Sequence, residues 1–107
     1  MSLPLDQNEI LNYLKELKPE LEKDGVIRLG IFGSYANKTA NPFSDIDVFV
    51  ETGRFFVEKF GFYGVNYYAD LKKKICNKFK VAVDLTDIAG IRDEAKKAEF
   101  LKGAIDV

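Results

Sequence analysis

The chain has 107 residues, 47% of them hydrophobic and 31% charged, which is the composition of a soluble packed domain rather than of a disordered or membrane-embedded one. A formal net charge of -1 argues against binding nucleic acid mainly through bulk positive charge, so any phosphate must be held locally. Histidine is absent and Cys76 is the single cysteine, which removes Ser-His-Asp and Cys-His hydrolytic chemistry, histidine-ligated zinc and thiolate cages, and leaves carboxylates as the acid, base or metal-binding groups.

Asp6 with Glu9 three residues on reads as a helix-capping pair. The helix it opens carries an apolar stripe of Ile10, Leu14, Leu17 and Leu21, with Pro19 expected to kink or restart it near its end. Asp24-Gly25 closes it. Val26 to Phe32, β-branched and bounded by glycines, is predicted as a buried first strand. Gly33 to Phe43 is a structured loop with room for about one helical turn around Ala36. Ile46 to Glu51 alternates Ile46, Val48 and Val50 against Asp47, Phe49 and Glu51, the period of a strand with two unlike faces.

Thr52 to Gly64, rich in Phe and Gly, is too apolar for a linker and too broken for a helix assignment. Asn66 to Lys78 reads as a helix with Tyr68, Leu71, Ile75 and Phe79 on one side. Its Lys72, Lys73, Lys74 and Lys78 are the makings of a solvated face, with phosphate or RNA binding as the competing meaning. Cys76 on this helix reads as a small core residue rather than a nucleophile. Val81 to Thr86 is a third strand and Asp93 to Lys102 a last helix. The expectation is one α+β domain spanning residues 1–107, without a membrane span or secretory leader, in the cytoplasm.

Chemistry gathers at three places. Gly33-Ser34 follows the first strand, where glycine allows close backbone approach to an anion and serine adds a hydroxyl at the start of a helical turn. Taken alone the dipeptide is far more often a plain turn. Ser44-Asp45-Ile46-Asp47 opens the second strand, and carboxylates two apart on a strand share a face at a spacing of roughly 6 to 7 Å. Such a pair suits two Mg²⁺ ions gripping the oxygens of an in-line phosphoryl or nucleotidyl displacement. A turn cap beside an exposed strand residue is the simpler alternative. Asp84, between Val83 and Leu85, falls on the strand face opposite those apolar neighbours; if the third strand lies beside the second, all three aspartates share a face. Asp87 reads as a turn or helix cap.

Together these features resemble the minimal nucleotidyltransferases, small members of the polymerase β-like superfamily, including antitoxins of that group. The match is carried by Gly33-Ser34-Tyr35-Ala36, Asn41-Pro42, Ser44-Asp45-Ile46-Asp47-Val48, Val83-Asp84-Leu85 and the ending Phe100-Leu101-Lys102-Gly103-Ala104-Ile105. The resemblance implies a polymerase β palm-like fold, a mixed three-stranded core sheet with helices packed on it. It also implies Mg²⁺-dependent transfer of a nucleoside monophosphate from ATP or a similar donor. Asp45 and Asp47 would then ligate two metal ions, Asp84 would bind metal or accept the acceptor's proton, and Gly33 and Ser34 would hold the triphosphate tail. Such proteins usually carry Arg-Gly where this chain has Asn37-Lys38, so Lys38 is the candidate substitute for a guanidinium near the phosphates. A helical HEPN-type toxin, modified on a tyrosine, is the implied partner, and an oligomer with itself or that partner is open. The competing reading is a non-catalytic nucleotide- or metal-binding module that docks on a partner protein.

Overall fold

The computed structural model describes residues 5–107. The first helix, α1 (Gln7–Lys23), starts where Asp6 accepts a hydrogen bond from the Asn8 N–H at 3.0 Å, satisfying one free donor of the first turn. The reciprocal bond from Glu9 is not formed. Ile10, Leu14 and Leu21 are buried, and the helix runs through Pro19 without restarting. Leu21 anchors the segment beyond the proline in the core, and the Asp24 and Gly25 N–H groups close on the carbonyls of Glu20, Leu21 and Glu22.

The remaining elements are β1 (Val26–Phe32), α2 (Gly33–Asn37), β2 (Ile46–Thr52), α3 (Arg54–Phe60), α4 (Gly64–Phe79), β3 (Val83–Asp87), α5 (Glu94–Leu101) and β4 (Ile105–Asp106). Short 3₁₀ turns at Gly61–Tyr63 and Ile88–Gly90 join α3 to α4 and follow β3. The Phe-rich stretch that resisted assignment is thus mostly helical. Buried Phe56 organises it, lying 4.8 Å from the Phe60 ring, 5.1 Å from Tyr67 and 5.6 Å from Tyr68. Glycines at 53, 61 and 64 punctuate it, which is why no helical period showed.

The sheet order is β3-β2-β1-β4, with β1 antiparallel to both β2 and β4, and β2 parallel to β3. Among the described residues the sheet therefore has four strands rather than the three expected. β4 is only two residues long, pairs Gly30 with Asp106 and Ile31 with Ile105, and is too short to show a period. Gly30 admits it, because a Cβ there would overlap the Ile105 carbonyl oxygen and crowd the Phe49 ring.

The two sheet faces differ as the alternation demands. Leu29, Ile31, Ile46, Val48 and Val50 pack with Ile10, Leu14 and Leu21 of α1 and Leu71 and Ile75 of α4 in the main core. The opposite parity carries Phe32, Asp47, Phe49, Glu51 and Asp84. Part of that face is covered by α5, through a Phe32–Phe100 ring contact at 4.7 Å and a Lys97–Glu51 ion pair at 2.7 Å. The four lysines of α4 are exposed and Cys76 is half-buried.

Candidate active site

The site is built where β1 ends and β2 begins. Asn41 knits the approach to β2: its N–H donates to Ser44 Oγ at 2.9 Å, its side-chain oxygen accepts from the Phe43 N–H at 2.8 Å, and its carbonyl accepts from the Ser44 N–H at 3.0 Å. Such an Asx turn sets the direction in which the chain leaves for the strand. Asp45 follows as an exposed residue, and Ile46 then joins the ladder by donating its N–H to the Ala82 carbonyl at 2.9 Å.

Within the sheet Asp47 has Phe32 as its register partner on one side and Asp84 on the other. Adjacent strands run about 4.8 Å apart, so two carboxylates in register on one face lie within mutual repulsion. Burial first, then the charges of Asp84 and Asp45, push the Asp47 carboxyl above the usual carboxylate range. None of the three aspartates forms an ion pair with a lysine or arginine among the described residues. Among the described residues Asp47 makes no hydrogen bond and no side-chain polar atom is buried without a partner, so its oxygens keep contact with solvent.

Gly33 stands directly against this carboxylate. Its φ of +69° lies in the left-handed region, and a Cβ there would overlap Asp47 Oδ2. The residue type is thus doubly required, by backbone conformation and by space. Ser34 lies in the first turn of α2 with its side chain making no hydrogen bond among the described residues, while its carbonyl accepts the N–H groups of Lys38 and Thr39. Lys38 sits at the opposite end of α2, where it is the left-handed C-cap at φ 61°. It lines a separate cavity of about 250 Å³ with Leu5, Asp6, Gln7, Tyr35 and Ala40. The fold therefore gathers Asp45, Asp47, Asp84 and Gly33, places Ser34 beside them, and sets the Lys38 backbone away from them.

Among the described residues no three acidic side chains stand in a ready metal cage. Asp45 and Asp84 are exposed, whereas Asp47 is half-buried. Asp87, read as a cap, is one, accepting from the Ala89 N–H at 2.9 Å; it also binds the Thr52 N–H at 3.2 Å and the Thr52 and Tyr68 hydroxyls.

Some residues that shape the site carried no separate signal in the sequence reading. Gln7 donates from its side chain to the Tyr35 carbonyl at 2.9 Å and the Ala36 carbonyl at 3.1 Å, tying α1 to the end of α2. Glu51 and Lys97 fix α5 over the carboxylate face; the alternation placed Glu51 there, but nothing local announced its partner.

The chain matches the nucleotidyltransferase domain family over residues 8–107. It belongs to that family. It is accordingly a transferase of nucleotidyl groups, and a paired-aspartate face beside a glycine turn is the part of this nucleotidyltransferase that its fold assembles. A solved structure provisionally described as a minimal nucleotidyltransferase superposes with a TM-score of 0.72 at 22% identity, covering 96% of this chain and 97% of the other, and so shares its fold. Among proteins of curated function none matches the chain. No helix among the described residues is long and apolar enough to cross a membrane.

Proposed function

We propose that this nucleotidyltransferase moves a nucleoside monophosphate, AMP from ATP, to a hydroxyl acceptor with the help of Mg²⁺, and that the acceptor is a tyrosine of a HEPN-type toxin, for which the chain acts as a cytoplasmic antitoxin. The observation that carries the reading is the register of Asp47 with Asp84, coupled in charge to Asp45 and without a basic partner among the described residues. Like charges so gathered suit hard cations, and Asp45, Asp47 and Asp84 would hold two Mg²⁺ ions. Bound there, the ions supply charge neutralisation on the phosphates and a more acidic acceptor hydroxyl.

The chain's own residues do the rest. Asp47, on an inner strand, is the fixed member; Asp45 and Asp84 are the adjustable ones. Gly33 keeps the space above Asp47 clear for the phosphates, with the Ser34 hydroxyl beside it and Lys38 reaching toward the triphosphate tail. The acceptor oxygen attacks the α-phosphorus, the bond to the bridging oxygen breaks, pyrophosphate departs, and Asp84 takes the acceptor's proton.

A second reading, a non-catalytic module that holds nucleotide and docks on a partner, is favoured by the distance of the Lys38 backbone from the carboxylates. Incubation with each α-labelled nucleoside triphosphate and Mg²⁺, with and without the HEPN-type protein, separates the two. Label transfer that disappears in Asp45→Asn and Asp47→Asn supports the enzyme acting on that partner. Triphosphate binding without transfer, for every donor and acceptor tried, supports the module.

A further inference from the structure

We infer that the acceptor of the transfer is a polypeptide segment that binds in extended form along the free edge of β3, with its hydroxyl at Asp84 and an apolar side chain three residues away in the groove beside Asp87. The inference rests on the transfer reading above and adds where and in what conformation the acceptor lies.

β3 is an outer strand of the sheet. The Ile46 N–H bonds to the Ala82 carbonyl, and in a parallel ladder this sets Ala82, Asp84 and Thr86 to bond with β2 while the N–H and C=O groups of Val83 and Leu85 point outward. Those outward groups have no backbone or side-chain partner among the described residues. Sheet edges are ordinarily guarded by lysine, proline, bulges, shortness or a covering element. The other edge follows that rule: β4 has two residues, and its Asp106 is clamped by the Arg28 guanidinium at 2.9 and 3.0 Å. Between Val83 and Asp87 there is no lysine or proline, and the register with β2 is unbroken over five pairs.

Both ends of this edge lead somewhere. Asp84, exposed, sits on it with its side chain on the same face as Asp47. Three residues on, roughly 10 Å along the strand and on the opposite face, Asp87 borders a groove of about 390 Å³. The groove is lined by Phe56, Val57, Phe62, Val65 and Tyr68, of which Val57, Val65 and Phe62 are 62%, 71% and 100% exposed. In an added strand residues i and i+3 point to opposite faces, so one extended segment can present a hydroxyl to the carboxylates and an apolar side chain to the groove. A small alcohol or a nucleic acid acceptor would use neither the outward backbone groups nor this spacing. Transfer then forms the bond from the segment's hydroxyl oxygen to the α-phosphorus and releases pyrophosphate, with the proton passing to Asp84.

The test uses the intact chain and a fluorescein-labelled set of eight-residue peptides, each with one tyrosine and a leucine three positions before or after it. Binding is read by anisotropy, and amide exchange is read at Val83 and Leu85. One peptide series should bind and slow exchange at those two amides, N-methylation of its alternate amides that face β3 should weaken it about tenfold or more, and replacing its leucine by aspartate should do the same. Leu85→Pro, which removes an outward N–H without breaking the ladder, should abolish binding while leaving Mg²⁺-dependent triphosphate binding in place. Unprotected amides with every peptide overturn the inference, as does equal binding of the N-methylated series. Transfer to a nucleic acid or a small alcohol that Leu85→Pro leaves intact also overturns it while the transfer reading stands. Absence of transfer to any acceptor, with the peptide still protecting the edge, sinks the transfer reading alone.

Discussion

Asp47 and Asp84 face each other across the β2–β3 ladder, one half-buried and one exposed, with no lysine or arginine of the described chain paired to either. Folding therefore brings together charges that the unfolded chain keeps apart. That arrangement costs free energy unless cations come between the charges.

Asp47→Asn should stabilise the cation-free protein. The folded Asp47 carboxyl has a raised proton affinity, so folding is penalised above that raised value and the penalty is gone below the unfolded value near 3.9. The group is half-buried and still touches solvent, so the gain at neutral pH should be up to ~1 kcal/mol, shrinking as pH falls through the raised value and gone below the unfolded one. Urea unfolding in chelator at a series of pH values measures it. A variant less stable than the parent at neutral pH would contradict the charge account.

Gly33→Ala should cost stability and activity together. The left-handed φ of +69° and the overlap with Asp47 Oδ2 both oppose a side chain. A loss of about 1–3 kcal/mol is expected from the strained backbone, together with a fall in kcat/KM of roughly a hundredfold. An alanine variant with native stability and turnover would show that the turn can move away from the carboxylate at no cost.

Asp24 should act in the opposite sense to Asp47. Its bond from Lys59 at 2.7 Å, and then that from the Tyr67 hydroxyl at 2.9 Å, hold its carboxyl below the usual range. The contribution is thus present above the unfolded value near 3.9 and is lost as pH falls through the lowered folded value. Asp24→Asn should cost about 0.5–1 kcal/mol at pH 7 and less at pH 2, read from denaturant midpoints. An equal cost at both pH values would assign the residue's role to packing instead.

Lys38→Ala should raise the apparent Michaelis constant for the triphosphate donor. The Lys38 backbone stands at the far end of a five-residue helix, about 7 Å from Gly33 along the axis, so its flexible side chain must extend to meet the phosphate tail. The rise should be modest, roughly two- to fivefold, with kcat little changed. A constant equal to the parent's removes Lys38 from the phosphate site.

Much of this arrangement was written in local patterns. The alternation of Ile46, Val48 and Val50 against Asp47, Phe49 and Glu51 fixed which face of β2 carries acid, because a strand has no freedom to do otherwise. Asp84 could be placed opposite Val83 and Leu85 for the same reason; its pairing with β2 was a supposition that the parallel register satisfies. What escaped was non-local or too short to be periodic. β4 exists because Gly30 leaves room for the Ile105 carbonyl, a fact that two residues near the chain's end cannot advertise. Pro19 looked like a break because local propensity disfavours it, whereas burial of Leu21 two residues on keeps the helix whole. The segment around Phe56 is organised by ring contacts with Tyr67 and Tyr68 from the next helix, and its glycines hid any helical period.

Titration with Mn²⁺ followed by electron paramagnetic resonance, in the presence of a non-hydrolysable triphosphate, counts the ions that the three aspartates hold. The parent chain should bind two ions, and Asp45→Asn, Asp47→Asn and Asp84→Asn should each weaken or remove at least one of them while remaining folded. Identical ion binding by all four proteins would contradict the account.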